Sequence, residues 1–166
     1  MFQLAEEQPD DWWEVEELFD KCFAPGRESL SSYRLRDGVP PLAHLCLVAR
    51  DEVGLVAGAI RFWPVRVDRH QALLLGPIAV HPTRQGEGLA AQMIRESIAR
   101  AGAGARVLLV GDAPYYGRFG FLKLHGVKMP PPTNPERVLG LGPWAGISGR
   151  VTAANAAPIA ASETSP

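Results

Sequence analysis

Apolar residues recur along this chain with two periods, and the change between them divides it. Residues 2–5 predict a short first strand. Pro9-Asp10-Asp11 then offers a cap and an acidic first turn, after which Val15, Leu18, Phe19 and Cys22 return at helical spacing. An amphipathic helix follows, ending near Ala24-Pro25-Gly26. A weaker helical segment spans 28–36 and stops at the breaker Asp37-Gly-Val-Pro-Pro41. Residues 44–49 and 55–67 read as strands joined by a tight connection at 50–54, and 72–80 reads as a third strand pairing with the second. The three make an antiparallel meander.

The period changes after residue 80. The loop Thr83-Arg-Gln-Gly-Glu-Gly88 leads into Leu89, Met93, Ile94, Ile98 and Ala101, one face of a helix. Residues 107–110 are wholly apolar, which predicts burial on both faces and a parallel neighbour reached through that helix. Beyond them come Gly111-Asp-Ala-Pro114, a short helix carrying Tyr115 to Phe119, a strand at 121–128, a proline-rich connection at 129–135 and a last strand at 137–141. Glycines 140, 142, 146 and 149 then interrupt regular structure. Residues 152–166 hold one large apolar side chain, Ile159, and are expected to form a disordered tail, leaving 1–151 as a single domain. A strand, crossover helix and strand inside an otherwise antiparallel sheet make an α/β (α+β) architecture.

Composition narrows the function. With 166 residues and 46% of them hydrophobic, the chain supports one substantial core and is short for two. Seventeen Lys and Arg against eighteen Asp and Glu leave a charge of -1, with no overall positive field to collect nucleic acid or an anionic membrane. The apolar run at 72–80 is far short of the roughly 20 residues needed to cross a bilayer. The first residues lack a secretory pattern, so a cytoplasmic location is expected. Cys22 and Cys46 sit far apart in apolar segments and read as inert buried thiols; the four histidines are scattered, so no metal site is expected.

The segment with chemistry in it is Gln85-Gly86-Glu87-Gly88-Leu89-Ala90. A strand that turns directly into a helix leaves the first-turn amides unpaired and pointing at whatever lies before them, and the two glycines keep β-carbons out of the way. The result is a main-chain anion cradle. It lacks the lysine of a nucleotide-hydrolysing phosphate loop and the glycine spacing of a dinucleotide fold.

Here the chain resembles the GNAT acetyltransferase superfamily, whose signature [Arg/Gln]-x-x-Gly-x-[Gly/Ala] is met by Gln85, Gly88 and Ala90. Tyr116-Gly-Arg-Phe-Gly120-Phe121 is similar to the family's later Tyr-x-x-x-Gly-Phe segment, and the run 110–121 resembles the YhbS-like branch of predicted acetyltransferases. The resemblance implies a GNAT-like acyl-CoA N-acyltransferase fold, a mixed twisted sheet of about six to seven strands with helices on both faces. It implies acetyl-CoA as co-substrate and no metal. The strand before the cradle would splay from its parallel neighbour, with Ile78, Ala79 and Val80 offering backbone groups to the pantetheine arm. Gln85, Gly86, Gly88, Leu89 and Ala90 would hold the pyrophosphate, and Gly76-Pro77 would be the kink.

By the same resemblance Tyr116 protonates the departing thiolate, with Tyr115 as its rival, and the amide of Val80 or Ala79 faces the acetyl oxygen. The strand 73–80 has no carboxylate, so the general base stays open between Asp112 acting through water, His44 or none. Substrate contacts are expected from 27–34, from Arg61-Phe62-Trp63 and from around Trp144, with Arg27, Tyr33 and Arg61 as candidates to recognise an anionic group. The acceptor is expected to be the primary amine of a small molecule rather than a protein, and a homodimer is possible. The alternative is a non-catalytic acyl-CoA-binding or sensor module on the same fold.

Overall fold

In the computed structural model residues 1–23 and 31–156 are described. In chain order they form β1 (Gln3–Glu6), α1 (Trp12–Cys22), α2 (Ser31–Arg34), β2 (Leu47–Arg50), β3 (Val56–Val67), β4 (His70–Val80) and the crossover helix α3 (Leu89–Ala101). Then follow β5 (Val107–Val110), α4 (Ala113–Gly117), β6 (Leu122–Lys123), β7 (Val127–Lys128), β8 (Val138–Leu141) and β9 (Gly149–Ala153). The strands lie in the order β1-β2-β3-β4-β5-β8-β6, antiparallel except for the β4–β5 pair, while β9 joins the far end of β3 and carries β7.

Alternation along β2 and β3 gives the sheet two apolar faces. Val48 and Ala59, with Ala79 of β4, face α1, whose Val15, Leu18 and Phe19 cover them. Leu47, Ala49, Ile60 and Phe62 face the other way, onto Leu89, Met93 and Ile94 of α3. Each of those three side chains is completely or almost completely buried, worth about 2 kcal/mol apiece. Gly58 sets the distance. A β-carbon on it would lie 2.9 Å from both Leu89 Cδ2 and Met93 Cε, so the missing methyl lets the first turn of α3 settle directly on the sheet. The start of α3, where the cradle lies, is thereby fixed against β3.

The described residues form nine strands, more than the six to seven expected. The segment 121–128 is two short strands, because Gly126 turns the chain between them with φ 79°. The late glycines interrupt regular structure as expected and then deliver β9, which pairs Val151 with Val67 and Ala153 with Val65. Residues 152 and 153, expected to belong to the tail, are thus part of β9. Beyond β9, Asn155 donates to the Asp37 carbonyl and Arg66 to that of Ala156. Residues 157–166 lie outside the described residues, as do 24–30, which include Arg27 and most of the start of the weaker helical segment.

Candidate active site

The sheet opens at one place. β4 runs beside β5 for two pairs, Leu73 with Val107 and Leu74 with Leu108, and then leaves it while staying paired to β3 as far as Val80. The cause is a bulge: Phe62 opposes Leu75 and Ile60 opposes Ile78, so Gly76 and Pro77 together face the single residue Arg61. Proline has no N–H for the ladder, Gly76 takes φ 140°, and the Trp63 indole nitrogen donates to the Gly76 carbonyl at 2.7 Å, pinning the bulge. A cleft of about 380 Å³ results, walled by Leu74 to Ile78 on one side and Leu109 to Asp112 on the other.

The hydrogen-bond alternation of an antiparallel pair decides which groups of β4 face that cleft. His81 N–H donates to the Ala57 carbonyl at 2.7 Å, so the pair Ala79–Ala59 is also a bonded one, and Ala79 turns its main-chain groups to β3. Ile78 and Val80 turn theirs the other way, toward the opening. Of the expected trio Ile78, Ala79 and Val80, the first and last thus present their main-chain groups to the opening. The Val80 carbonyl already accepts from the Cys22 thiol (3.3 Å) and the Gln85 side-chain amide (3.2 Å), while its N–H stays free of β3.

At the end of β4 the chain makes a single turn at Pro82–Arg84 and swings through Gly86 (φ 86°) and Gly88 (φ 80°) into α3. Gly88 caps the helix without a side-chain bond, and the Gln92 amide is the one returning to its carbonyl. The amides of Leu89, Ala90 and Ala91 thus have no acceptor within the helix. They border a second cavity, about 440 Å³, that Gln85, Gly86, Gly88 and Val80 also line. Two arginines reach it. Arg84 is held by Asp51, Glu52 and Glu87, whereas Arg118 lies over the Tyr115 ring at 4.7 Å with no ion pair to a described residue. Arg118 was not singled out from the sequence, although it stands inside the Tyr-x-x-x-Gly-Phe segment, three residues along a helix from Tyr115.

The two tyrosines part company. Tyr115 lines the cradle cavity; Tyr116 lines the cleft, its ring set edge-on to Tyr115 (5.0 Å, 89°) and packed on Phe121 (6.0 Å). Beneath the ring is Gly111, where any β-carbon would collide with it. No described residue hydrogen-bonds the Tyr116 hydroxyl. Burial raises its pKa above the ordinary tyrosine value, Tyr115 and Asp112 push the same way, and Arg137 offsets part of the rise. The hydroxyl therefore keeps its proton at neutral pH. Asp112 caps α4 through Oδ2, which accepts from the Tyr115 amide at 3.1 Å, and it also borders the cleft.

Several expected contacts lie elsewhere. Arg61 is 1% exposed and bound to Glu7 and Glu16 beneath α1, with Trp12 over its guanidinium, so it is a structural ion cluster and not a substrate contact. Phe62 is buried under α3, Trp63 serves the bulge, and the Trp144 indole caps the carbonyls of Val107 and Leu141. His44 sits exposed on the turn before β2 and lines neither cavity. Tyr33 does line the cleft, as does Arg137, which sequence reasoning missed. Cys46 is buried, its thiol pushed up to about 11 chiefly by desolvation. The described residues contain no cluster of three or more metal-ligating side chains, and no described helix is long and apolar enough to cross a membrane.

Comparison with known proteins gives the geometry a context. Residues 43–123 match the family profile described as acetyltransferase (GNAT) domain. The chain is 34% identical over 120 residues to the uncharacterized N-acetyltransferase YhbS of Escherichia coli K12, covering 69% of this chain and 70% of that protein. The crystal structure of E. coli YhbS in complex with CoA superposes with a TM-score of 0.75 at 28% identity, covering 92% of this chain and 89% of the other. A GNAT family acetyltransferase from Brucella melitensis in complex with acetyl-CoA gives 0.66 at 30% identity, over 92% and 95% of the two chains.

Proposed function

Because the chain belongs to the GNAT acetyltransferase family, we propose that it carries an acetyl group from acetyl-CoA to the primary amine of a small molecule, within the YhbS-like branch. The observation that carries this reading is the continuity of the site: an amide cradle at the start of α3, an open strand edge at Ile78 and Val80, and a protonated tyrosine in the cleft beyond. The pyrophosphate sits on the amides of Gly86 to Ala90, with Arg118, which has no ion pair with a described residue, as the nearby cation. The pantetheine arm pairs with Ile78 and Val80 as an added strand would.

In the reaction the neutral amine attacks the thioester carbonyl, and the new C–N bond places negative charge on the acetyl oxygen. The Ile78 N–H, which turns away from β3 and belongs to the residue of β4 that borders the cleft beside Tyr116, is the donor to that oxygen. Collapse breaks the C–S bond; the thiolate takes a proton from Tyr116, and the amine nitrogen loses one to solvent, which restores the tyrosine. A purely sensory module would be favoured by a Tyr116 turned into the core or by a blocked cleft. Instead Tyr116 borders an opening of about 380 Å³, which supports catalysis.

The test is thiol release from acetyl-CoA across a panel of small amines, with coenzyme affinity measured by calorimetry. Tyr116→Phe is expected to lower turnover roughly 10²-fold with coenzyme affinity unchanged, and Tyr115→Phe to leave the chemical rate largely intact. A protein that does not bind acetyl-CoA would overturn the reading; a reversed order of the two variants would move the acid to Tyr115.

A further inference from the structure

The cleft between β4 and β5 is lined almost wholly by apolar and uncharged groups. Among the described residues two charged side chains border it, Asp112 and Arg137, and they have opposite sign. Among the described residues neither has an ion-pair partner: Asp112 has one carboxylate oxygen committed to the cap of α4 and no described partner for the other, and Arg137 forms no ion pair with a described residue. Other cations of this region are engaged or face elsewhere: Lys123 is paired with Glu136, Arg34 donates to the Pro131 carbonyl, and Arg118 lines the cradle cavity.

Arg137 is also anchored. Its amide donates to the Asn134 carbonyl at 3.0 Å, and its own carbonyl accepts at 2.9 Å from Gly111, the residue under the Tyr116 ring. Both charges are felt at the Tyr116 hydroxyl, in opposite directions. The cleft and the cradle cavity share no lining residue, so the phosphates of the coenzyme have their own partners and leave Arg137 without an anion.

Resting on the acetyl-transfer reading above, we propose that the acceptor is a compact amine that also bears a carboxylate. The carboxylate lies on the Arg137 guanidinium, whose planar fork suits it, and the amine end lies toward Asp112 and Tyr116. A small dipolar molecule fits the volume left beside the acetyl group; a long polycation would find one carboxylate and a repelling arginine.

The experiment compares matched pairs with the full chain: the common α-amino acids, β-alanine and 4-aminobutyrate, each against its carboxamide. Amide formation makes the α-amine less basic and hence more often neutral, so unassisted chemistry favours the carboxamide. A preference for the carboxylate therefore reports recognition. We expect at least one pair in which kcat/KM favours the carboxylate by about tenfold or more. Arg137→Met should bring its two members to within about twofold, acting through KM, and Arg137→Lys should keep part of the preference. Asp112→Asn, which can still cap α4, should raise KM for the amine; an unchanged KM would remove Asp112 from the proposal. Equal rates within every pair, a preference that survives Arg137→Met, or no turnover of any member by a protein that binds acetyl-CoA would each overturn the inference. Failure to bind acetyl-CoA would instead overturn the acetyl-transfer reading beneath it.

Discussion

Replacing Gly111 with alanine isolates the placement of one hydroxyl. A β-carbon there would lie 2.5 Å from Cε2 and 2.9 Å from Cδ2 of Tyr116, and 2.9 Å from Leu109 Cδ1. Ordinary contact begins near 3.4 Å, so the ring edge must withdraw by about 0.9 Å. The Leu109 methyl must give way as well, but the backbone need not: Gly111 has no left-handed φ, and its amide bond to the Arg137 carbonyl survives the substitution. Because Tyr115 and Phe121 hold the ring on its other sides, the displacement carries the hydroxyl with it. A misplacement of about 1 Å at a reacting group can lower a rate about 10²-fold. We therefore expect Gly111→Ala to reduce turnover by roughly 10- to 100-fold while acetyl-CoA affinity, set at the other cavity, stays within about twofold. Overpacking should lower stability by about 1 to 3 kcal/mol, read by thermal melting. The decisive comparison is Gly111→Ala in a Tyr116→Phe background, where there is no hydroxyl left to misplace. If alanine slows transfer as much there as in the wild type, Gly111 does not act through Tyr116 and the reasoning fails.

Four further outcomes rest on the same structure. Gly88→Glu forces a non-glycine residue to φ 80° and adds an anion to the cradle, so calorimetry should show the acetyl-CoA dissociation constant rising at least about tenfold, about 1.4 kcal/mol; Arg118→Met should weaken binding more mildly and make it less sensitive to salt. Arg61→Met leaves Glu7 as a buried carboxylate without its partner and should cost about 3 kcal/mol, a melting point roughly 6 to 12 °C lower, partly regained in the double variant with Glu7→Gln; an unchanged melting point would show the cluster to be dispensable. Cys46, with its thiol near 11, holds about one thiolate in a thousand at pH 8 and gains reactivity only as pH rises toward that value, so a thiol reagent should modify it at pH 8 no faster than the protein unfolds.

Local periodicity carried much of the fold. Leu89, Met93 and Ile94 recur at helical spacing and are the buried face of α3, and the wholly apolar 107–110 is the strand with a parallel neighbour. Gly76-Pro77 was legible as a kink because both residues have backbone rules of their own, and the bulge lies there. What pattern could not reach were partnerships between distant residues. Arg61 next to two aromatics reads as a substrate contact until Glu7 and Glu16, 54 and 45 positions away, are seen to enclose it. Trp144 likewise reads as a late-loop aromatic, yet its indole serves carbonyls of β5 and β8. Arg118 and Arg137 become notable through position alone: one stands over the cradle and the other in the cleft, and neither has an ionic partner among the described residues. β9 was missed because Gly149, Arg150 and Thr152 leave it with Val151 as its one large apolar residue; its pairing with β3 is what orders it.

In the proposed function the coenzyme runs from the start of α3 through the opening between β4 and β5 to Tyr116. A crystal structure with bound acetyl-CoA tests this most directly. Pyrophosphate oxygens are expected on the amides of Gly86 to Ala90, pantetheine hydrogen bonds at Ile78 and Val80 but not at Ala79, and the sulfur within hydrogen-bond reach of the Tyr116 hydroxyl. Coenzyme bound outside the β4–β5 opening, or a sulfur beside Tyr115 with Tyr116 out of reach, would contradict it.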